Sequence, residues 1–276
     1  MPATLLQTHR VEKPWGRHDL WPGFADAAPA DQPVGEVWYK APGDDTPDLL
    51  VKYLFTGEKL SIQVHPDDEQ AHARGLPRGK DECWTILAAE PGATIALGTK
   101  GHPDKATLAQ AARDGTIEAL LDWRAVKAGD FLYCPSGTIH AIGGGLTLIE
   151  VQQNSETTYR LFDYGSDREL HLDDGMAVAK AEPYHPIAAP RPAGAGRQIK
   201  VEGPKFVLER WAGGEHQVVL EEGRTGWLVV IKGAGEVAGV AFGAGECVTV
   251  TGRETVRSGD DADLLFAYPG TQRMTV

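Results

Sequence analysis

Gly57-Glu58-Lys59-Leu60-Ser61-Ile62-Gln63-Val64-His65 and Gly129-Asp130-Phe131-Leu132-Tyr133-Cys134-Pro135-Ser136-Gly137-Thr138-Ile139-His140 decide the fold. In an extended strand, side chains two positions apart point the same way, so Ser61, Gln63 and His65 project from one face. The second stretch opens on a Gly-Asp turn, runs as a short apolar strand and reaches His140 after a Pro135-x-Gly137 turn, which brings a further imidazole from a neighbouring strand. Between them, Lys80-Asp81-Glu82-Cys83-Trp84 carries a carboxylate into a strand. Two imidazoles, one carboxylate and one amide oxygen form a mixed nitrogen and oxygen set suited to a single divalent ion: zinc, manganese, iron, cobalt or nickel.

The spacing resembles the two cupin motifs, Gly-x5-His-x-His and Gly-x5-Pro-x-Gly-x2-His, with Gln63 in place of the first histidine. A Gln-x-His, a distant Lys-x-Glu and a later His are together similar to the class I mannose-6-phosphate isomerases (phosphomannose isomerases) of the short bacterial type. The surrounding words agree: Leu60 to Pro66, Gly79 to Trp84, Gly137 to Gly145 and Thr157-Thr158-Tyr159-Arg160-Leu161-Phe162-Asp163-Tyr164. The likeness extends from about Lys13 to Leu172. It implies a cupin barrel (jelly roll) whose metal, most naturally Zn2+, is held by Gln63, His65, Glu82 and His140, with Arg160 as the catalytic arginine and Lys52 and Ser61 on the phosphate. Lys80, two positions before Glu82, is expected on the same face, where it suits the phosphate or the proton-transfer step. The activity implied is interconversion of mannose 6-phosphate and fructose 6-phosphate through an enediol(ate).

One departure from the family pattern stands out. Gly35-Glu36-Val37-Trp38-Tyr39-Lys40-Ala41-Pro42-Gly43 lacks the histidine that commonly follows this motif and assists ring opening. The general base is open among water at the metal, Lys80 and Asp163. The competing reading is a non-catalytic or regulatory cupin that binds a sugar or sugar phosphate; Lys80 and Arg160 count against it, because a bare metal scaffold needs no cations there. A cupin oxygenase would more naturally use a site dominated by histidines. Trp15 and Trp38 are candidates for the wall of a sugar pocket. His72, His102, His171 and His216 have no such framework around them and read as exposed or locally hydrogen-bonded.

Composition sets limits on the partner. The 276 residues include 39 acidic and 27 basic side chains, a net charge of -12, which argues against nucleic acid or an anionic membrane and for a small sugar phosphate met by a local basic pocket. No apolar run reaches the roughly 20 residues that span a bilayer, and the first ten residues lack a signal-peptide core, so the expected location is the cytoplasm. Cys83, Cys134 and Cys247 fit a reducing compartment and core packing rather than a disulfide framework. A homodimer is the default expectation for assembly.

Along the chain the pattern is mainly β, with runs at 34–40, 49–55, 60–64, 83–88, 94–98, 130–134, 146–153 and 159–164 separated by turn residues. Two helices are predicted, over 67–74 as a candidate lid and over 104–121. Gly143-Gly144-Gly145 reads as a hairpin turn. Residues 1–183 form the expected catalytic domain, and the Pro-, Ala- and Gly-rich 184–196 a linker. Residues 197–276 form a second, smaller barrel-like β domain. Laying Gly245-Glu246 on Gly129-Asp130 puts Val256 at the position of His140, so this second domain reads as a degenerate cupin without metal.

Overall fold

The computed structural model describes residues 1–29, 31–43, 47–187 and 189–274. A six-stranded antiparallel sheet runs in the order Gln7–Arg17, Val34–Lys40, Leu49–Thr56, Leu146–Gln153, Glu82–Ala89, Phe131–Cys134. Facing it is a five-stranded sheet in the order Tyr159–Phe162, Ile62–Val64, His140–Ile142, Thr94–Thr99, Leu121–Ala125. These two sheets make the mainly β barrel that the sequence pattern predicts, and the candidate ligands come from both.

The central strands Leu49–Thr56 and Leu146–Gln153 are buried along their whole length, because both faces of the sheet are covered. Alternation sorts their side chains. Val51, Tyr53, Phe55, Ile149 and Val151 pack against Phe206, Leu208, Val229 and Leu265 of the C-terminal part. Leu54, Leu146 and Leu148 turn the other way and join Trp84, Ile95, Leu97 and Ile142 inside the barrel. Lys52 and Glu150, in phase with the second set, are thereby committed to the barrel interior.

The third sheet has nine strands, with a main path Ala3–Leu5, Cys247–Thr251, Thr225–Lys232, Arg253–Pro269, Phe206–Val219, Arg197–Glu202, Arg191–Pro192. Its first strand comes from the extreme N-terminus: Ala3, Thr4 and Leu5 pair with Val250, Thr249 and Val248. Within the expected linker, Tyr184 is buried and donates its hydroxyl to the Tyr133 carbonyl at 2.7 Å, and Arg191–Pro192 pairs with the strand that follows; residue 188 lies outside the described residues.

Two local expectations need correction. The segment 104–121 is not one helix: Lys105–Asp114 ends at Gly115, whose φ of 81° is the left-handed C-cap conformation that glycine adopts without strain, and Ile117–Leu120 follows as a separate turn before a strand begins at Leu121. Gly143–Gly145 is not a hairpin turn, because His140–Ile142 lies in the five-stranded sheet and Leu146–Gln153 in the six-stranded one, so the glycines carry the chain between sheets. A Cβ at Gly143 would stand 2.4 Å from the Thr94 carbonyl oxygen, which explains the need for glycine at that crossing. Among the described residues no helix is long and apolar enough to cross a membrane.

Candidate metal centre and active-site cleft

Strand register brings the predicted ligands together. Gln63 pairs with His140 on one side and with Arg160 on the other, so three functional side chains form a row across the five-stranded sheet. Glu82 starts a strand of the opposite sheet and meets that row across the barrel interior. Its Oε1 lies 3.0 Å from Nε2 of His140 and 3.5 Å from Nε2 of His65, and the candidate ligand atoms of the three residues lie within 4.8 Å of one another. The Gln63 amide nitrogen is 3.2 Å from Nε2 of His140, while its Oε1 accepts from the Ser61 hydroxyl at 3.2 Å. Half a turn about the last torsion of Gln63 exchanges the two ends of the amide and presents its oxygen to the imidazoles.

Each imidazole is oriented from behind. Nδ1 of His65 stands 2.9 Å from the Thr157 carbonyl and Nδ1 of His140 stands 2.9 Å from the Thr138 carbonyl, which fixes the proton on Nδ1 and leaves both Nε2 lone pairs directed inward. Burial, helped by the Lys80 ammonium, pushes His65 down to about 3, so the ring is a neutral donor at physiological pH. Burial alone would raise the Glu82 carboxyl; Lys80 and the two imidazoles overturn that and hold it well below the usual carboxylate range. Lys80 Nζ lies 3.0 Å from Glu82 Oε2 and 3.3 Å from His65 Nε2. Even so, neither buried oxygen of Glu82 has an aligned hydrogen-bond donor: the Lys80 ammonium beside it is close but not in hydrogen-bond geometry, and the imidazoles turn lone pairs towards it. A fully buried, ionised carboxylate without a directed donor, facing two Nε2 lone pairs, is a set of residues that fits a divalent ion.

The segment that carries Lys80 and Glu82 is held by Asp81. Its Oδ2 accepts from the Tyr133 hydroxyl at 2.7 Å and its Oδ1 from the Ser136 amide at 3.0 Å. The side chains at 80 and 82 therefore point into the barrel while the one at 81 anchors the strand.

A cleft of about 250 Å³ reaches this centre through Gln63 and Lys80, which line it together with, among others, Trp15, Trp38, Ser61 and Arg160. Both tryptophans singled out in the sequence are on its wall. Arg160 donates to the Glu169 carbonyl at 2.7 Å, but its Nε is buried without a partner. Lys52 also faces the cleft, clasped by Glu150 at 2.8 Å and Glu36 at 3.4 Å. Its pKa is raised: burial works against the charge, and the two carboxylates outweigh it. The helix Asp68–His72, expected as a lid, lines no part of the cleft. Asp163 is held by Arg168 through two contacts of 2.6 and 2.7 Å and does not line the cleft.

Sequence reasoning missed Glu150 and gave no role to Glu36. Glu150 accepts from the Trp84 indole at 2.9 Å and sits opposite both Lys52 and Trp84 in the sheet register, so Trp38, Lys52, Glu150 and Trp84 form one cross-strand row. The available signal was a lone carboxylate in the run Leu-Thr-Leu-Ile-Glu-Val. Glu36 accepts from the Trp38 indole at 2.6 Å. Burial would raise its carboxyl, but Lys52, Lys13 and the indole bring it down to about 2.

A barrel with two imidazoles, a carboxylate and an amide converging behind a cleft with cations on its wall defines a cupin built around a candidate metal centre. Comparison with known proteins narrows the class. No family model matches the chain. It is 46% identical over 144 residues to the mannose-6-phosphate isomerase ManA of Bacillus subtilis, covering 49% of this chain and 45% of that one. It is 38% identical over 172 residues to the mannose-6-phosphate isomerase of Streptococcus mutans, covering 59% and 54%. The chain thus spans about half the length of these curated relatives. The crystal structure of the mannose 6-phosphate isomerase from Bacillus subtilis aligns over 97% of this chain and 99% of that one, with a TM-score of 0.82 and 27% identity. A zinc-bound mannose 6-phosphate isomerase shares the fold with a TM-score of 0.74 at 15% identity, over 98% of this chain and 100% of that one. In sequence over part of its length and in fold over nearly all of it, the chain is similar to mannose-6-phosphate isomerases.

Proposed function

We propose that this protein is a metal-dependent aldose-ketose isomerase that interconverts mannose 6-phosphate and fructose 6-phosphate through an enediol(ate). The observation that carries the reading is that Lys80 and Arg160 share the wall of one cleft with Gln63, and that Lys80 and Gln63 touch Glu82 and His140 of the His65, Glu82 and His140 cluster. The names of the relatives support the substrate. Gln63, His65, Glu82 and His140 would hold the ion, and Zn2+ suits a mixed set of imidazole and carboxylate. When bound, a divalent ion supplies polarisation of the substrate carbonyl and a counter-charge for the developing oxyanion.

The protein's own groups account for the remaining tasks. Arg160 carries a desolvated guanidinium, and burial together with the neighbouring Arg168 lowers its pKa, so it favours an anionic partner. It receives the negative charge that builds up as the proton leaves the carbon beside the carbonyl. Lys80 would carry a proton at its Nζ between adjacent substrate atoms. Glu36, pinned as a carboxylate by Lys52, Lys13 and Trp38, accepts hydrogen bonds from sugar hydroxyls rather than exchanging protons. Ser61 and Lys52 are assigned to the phosphate end, with the Lys52 charge shared between Glu36 and Glu150. Residues 1–183 carry the site, and 197–276 form a degenerate cupin-like unit that supports it.

The test is conversion of mannose 6-phosphate in deuterated water, with metal-stripped and zinc-reloaded protein. Product carrying deuterium on the carbon that receives the proton, formed only by the reloaded protein, is expected. Full metal loading without turnover would favour the sugar-phosphate-binding cupin, and turnover without deuterium incorporation would contradict proton transfer through an enediol(ate) that exchanges with solvent.

A further inference from the structure

Two adjacent residues of the C-terminal part, Lys205 and Phe206, each end a chain of contacts on the segment that carries Lys80 and Glu82. Lys205 Nζ binds Asp68 Oδ2 at 2.7 Å. The other oxygen of Asp68 accepts from the Gly79 amide at 2.8 Å and from the Gln153 side-chain nitrogen at 3.0 Å. Gln153 in turn exchanges two hydrogen bonds with Asp81: its Oε1 accepts from the Asp81 main-chain N–H at 2.9 Å, and its own main-chain N–H donates to the Asp81 carbonyl at 3.0 Å. Along the second route, the Phe206 ring packs on Tyr133 with centroids 5.4 Å apart, and the Tyr133 hydroxyl donates to Asp81 Oδ2 at 2.7 Å. The join is tight: a Cβ on Gly79 would stand 2.4 Å from the Asp67 carbonyl carbon and 2.7 Å from the Asp68 amide nitrogen.

Asp68, Lys205 and Phe206 line no part of the cleft, so any effect they have on it acts through position. Asp68 opens the short helix whose capping box, Asp67 with Gln70, already satisfies that helix's N-terminus. Its carboxylate is thus free for the three donors that reach it from three different elements. Fixing a ligand to within a fraction of an ångström requires such outer contacts, and their loss commonly costs roughly 10- to 100-fold in metal affinity.

We propose that the C-terminal sheet acts on the metal centre through Lys205 and Phe206, with Asp68 and Tyr133 as positioning residues that set where Glu82 and Lys80 stand. The inference deepens the metal-centre reading and rests on it. The helix beside His65 is a brace, not a lid.

The test uses the full chain, stripped of metal, and measures Zn2+ affinity by competition with a chromogenic chelator, with thermal unfolding measured in parallel. Asp68→Ala leaves two buried donors without an acceptor and should weaken Zn2+ binding on the order of tenfold. Tyr133→Phe keeps the ring packing but removes the hydroxyl, with an expected loss of roughly fivefold. Lys205→Ala removes a pair about 30% exposed at each side chain, so the expected loss is smaller, roughly threefold, and Lys205→Arg should restore it. Arg257→Ala, which breaks the exposed Arg257–Glu215 pair of the same sheet, should leave the affinity unchanged. Lower melting temperatures with unaltered Zn2+ affinity in all three positioning variants would overturn the proposal. Wild-type protein that binds no Zn2+ would remove the metal-centre reading and this inference with it, an outcome distinct from unaffected variants.

Discussion

The barrel that holds His65, Glu82 and His140 and the third sheet that holds Arg197, Glu209 and His216 both bury charged groups and a histidine, yet they use them in opposite ways. In the third sheet the groups satisfy one another. Arg197 Nε donates to His216 Nδ1 at 3.3 Å, and its guanidinium lies 4.4 Å from the centre of the Trp211 ring. His216 Nε2 reaches the Ala212 carbonyl at 2.7 Å, so both ring nitrogens are engaged. Glu209 accepts from the Trp211 indole at 2.9 Å, from the Tyr268 hydroxyl at 3.2 Å and from Arg273 at 3.0 Å. In the barrel, each histidine spends only Nδ1 on the backbone, and Glu82 finds no directed donor. A buried polar cluster that closes on itself is structural, whereas one that leaves lone pairs aimed at a common point has room for a ligand.

The largest effect that would break this contrast is at Glu82. Glu82→Gln should lower metal affinity by more than ~100-fold, beyond the range typical of outer contacts, and take turnover with it; metal analysis after dialysis reads the first, a coupled assay the second. Retained metal would mean that the cluster closes on itself after all. Arg160→Ala comes next, with turnover reduced by ~10²- to 10³-fold at full metal content, because it removes charge stabilisation and no ligand. Loss of metal in that variant would move Arg160 into the structural group.

The third sheet supplies the complementary case. Glu209→Ala should cost about 3 kcal/mol in urea unfolding, because it strands buried Arg197 and the Trp211 and Tyr268 donors, and should leave metal affinity unchanged. The smallest effect is on acid stability. Glu36 titrates at about 2 in the folded chain against an ordinary 4.5, so its contribution is complete above pH 4.5 and is lost as the pH falls from about 4.5 towards 2. Glu36→Gln should flatten the dependence of stability on pH in that window; an unchanged slope would mean that Lys52 and Lys13 do not hold this carboxylate in solution.

The parts of the site legible in the sequence are those fixed by local geometry. Gln63 and His65 share a face by strand alternation, and Glu82 and His140 stand at set distances from turn residues, so the four ligand candidates were recoverable without knowing which strands pair. Glu150 was not, because its meaning depends on facing Lys52 in one neighbouring strand and Trp84 in the other. The same holds for Ala3–Leu5, whose partner lies some 245 residues away, and for Gly143–Gly145, where a hairpin and a crossing between sheets look alike in one dimension. The break at Gly115 was written locally, since an isolated glycine near a helix end is a stop signal, but the apolar stripe running on to Leu121 masked it.

The most direct measurement is a titration of metal-stripped protein with Zn2+, following bound metal and mannose 6-phosphate isomerisation in the same samples. One ion per chain, with turnover rising in proportion and saturating at that ratio, is the predicted result. Saturation at one ion without turnover, or full turnover before any ion is added, would contradict the account.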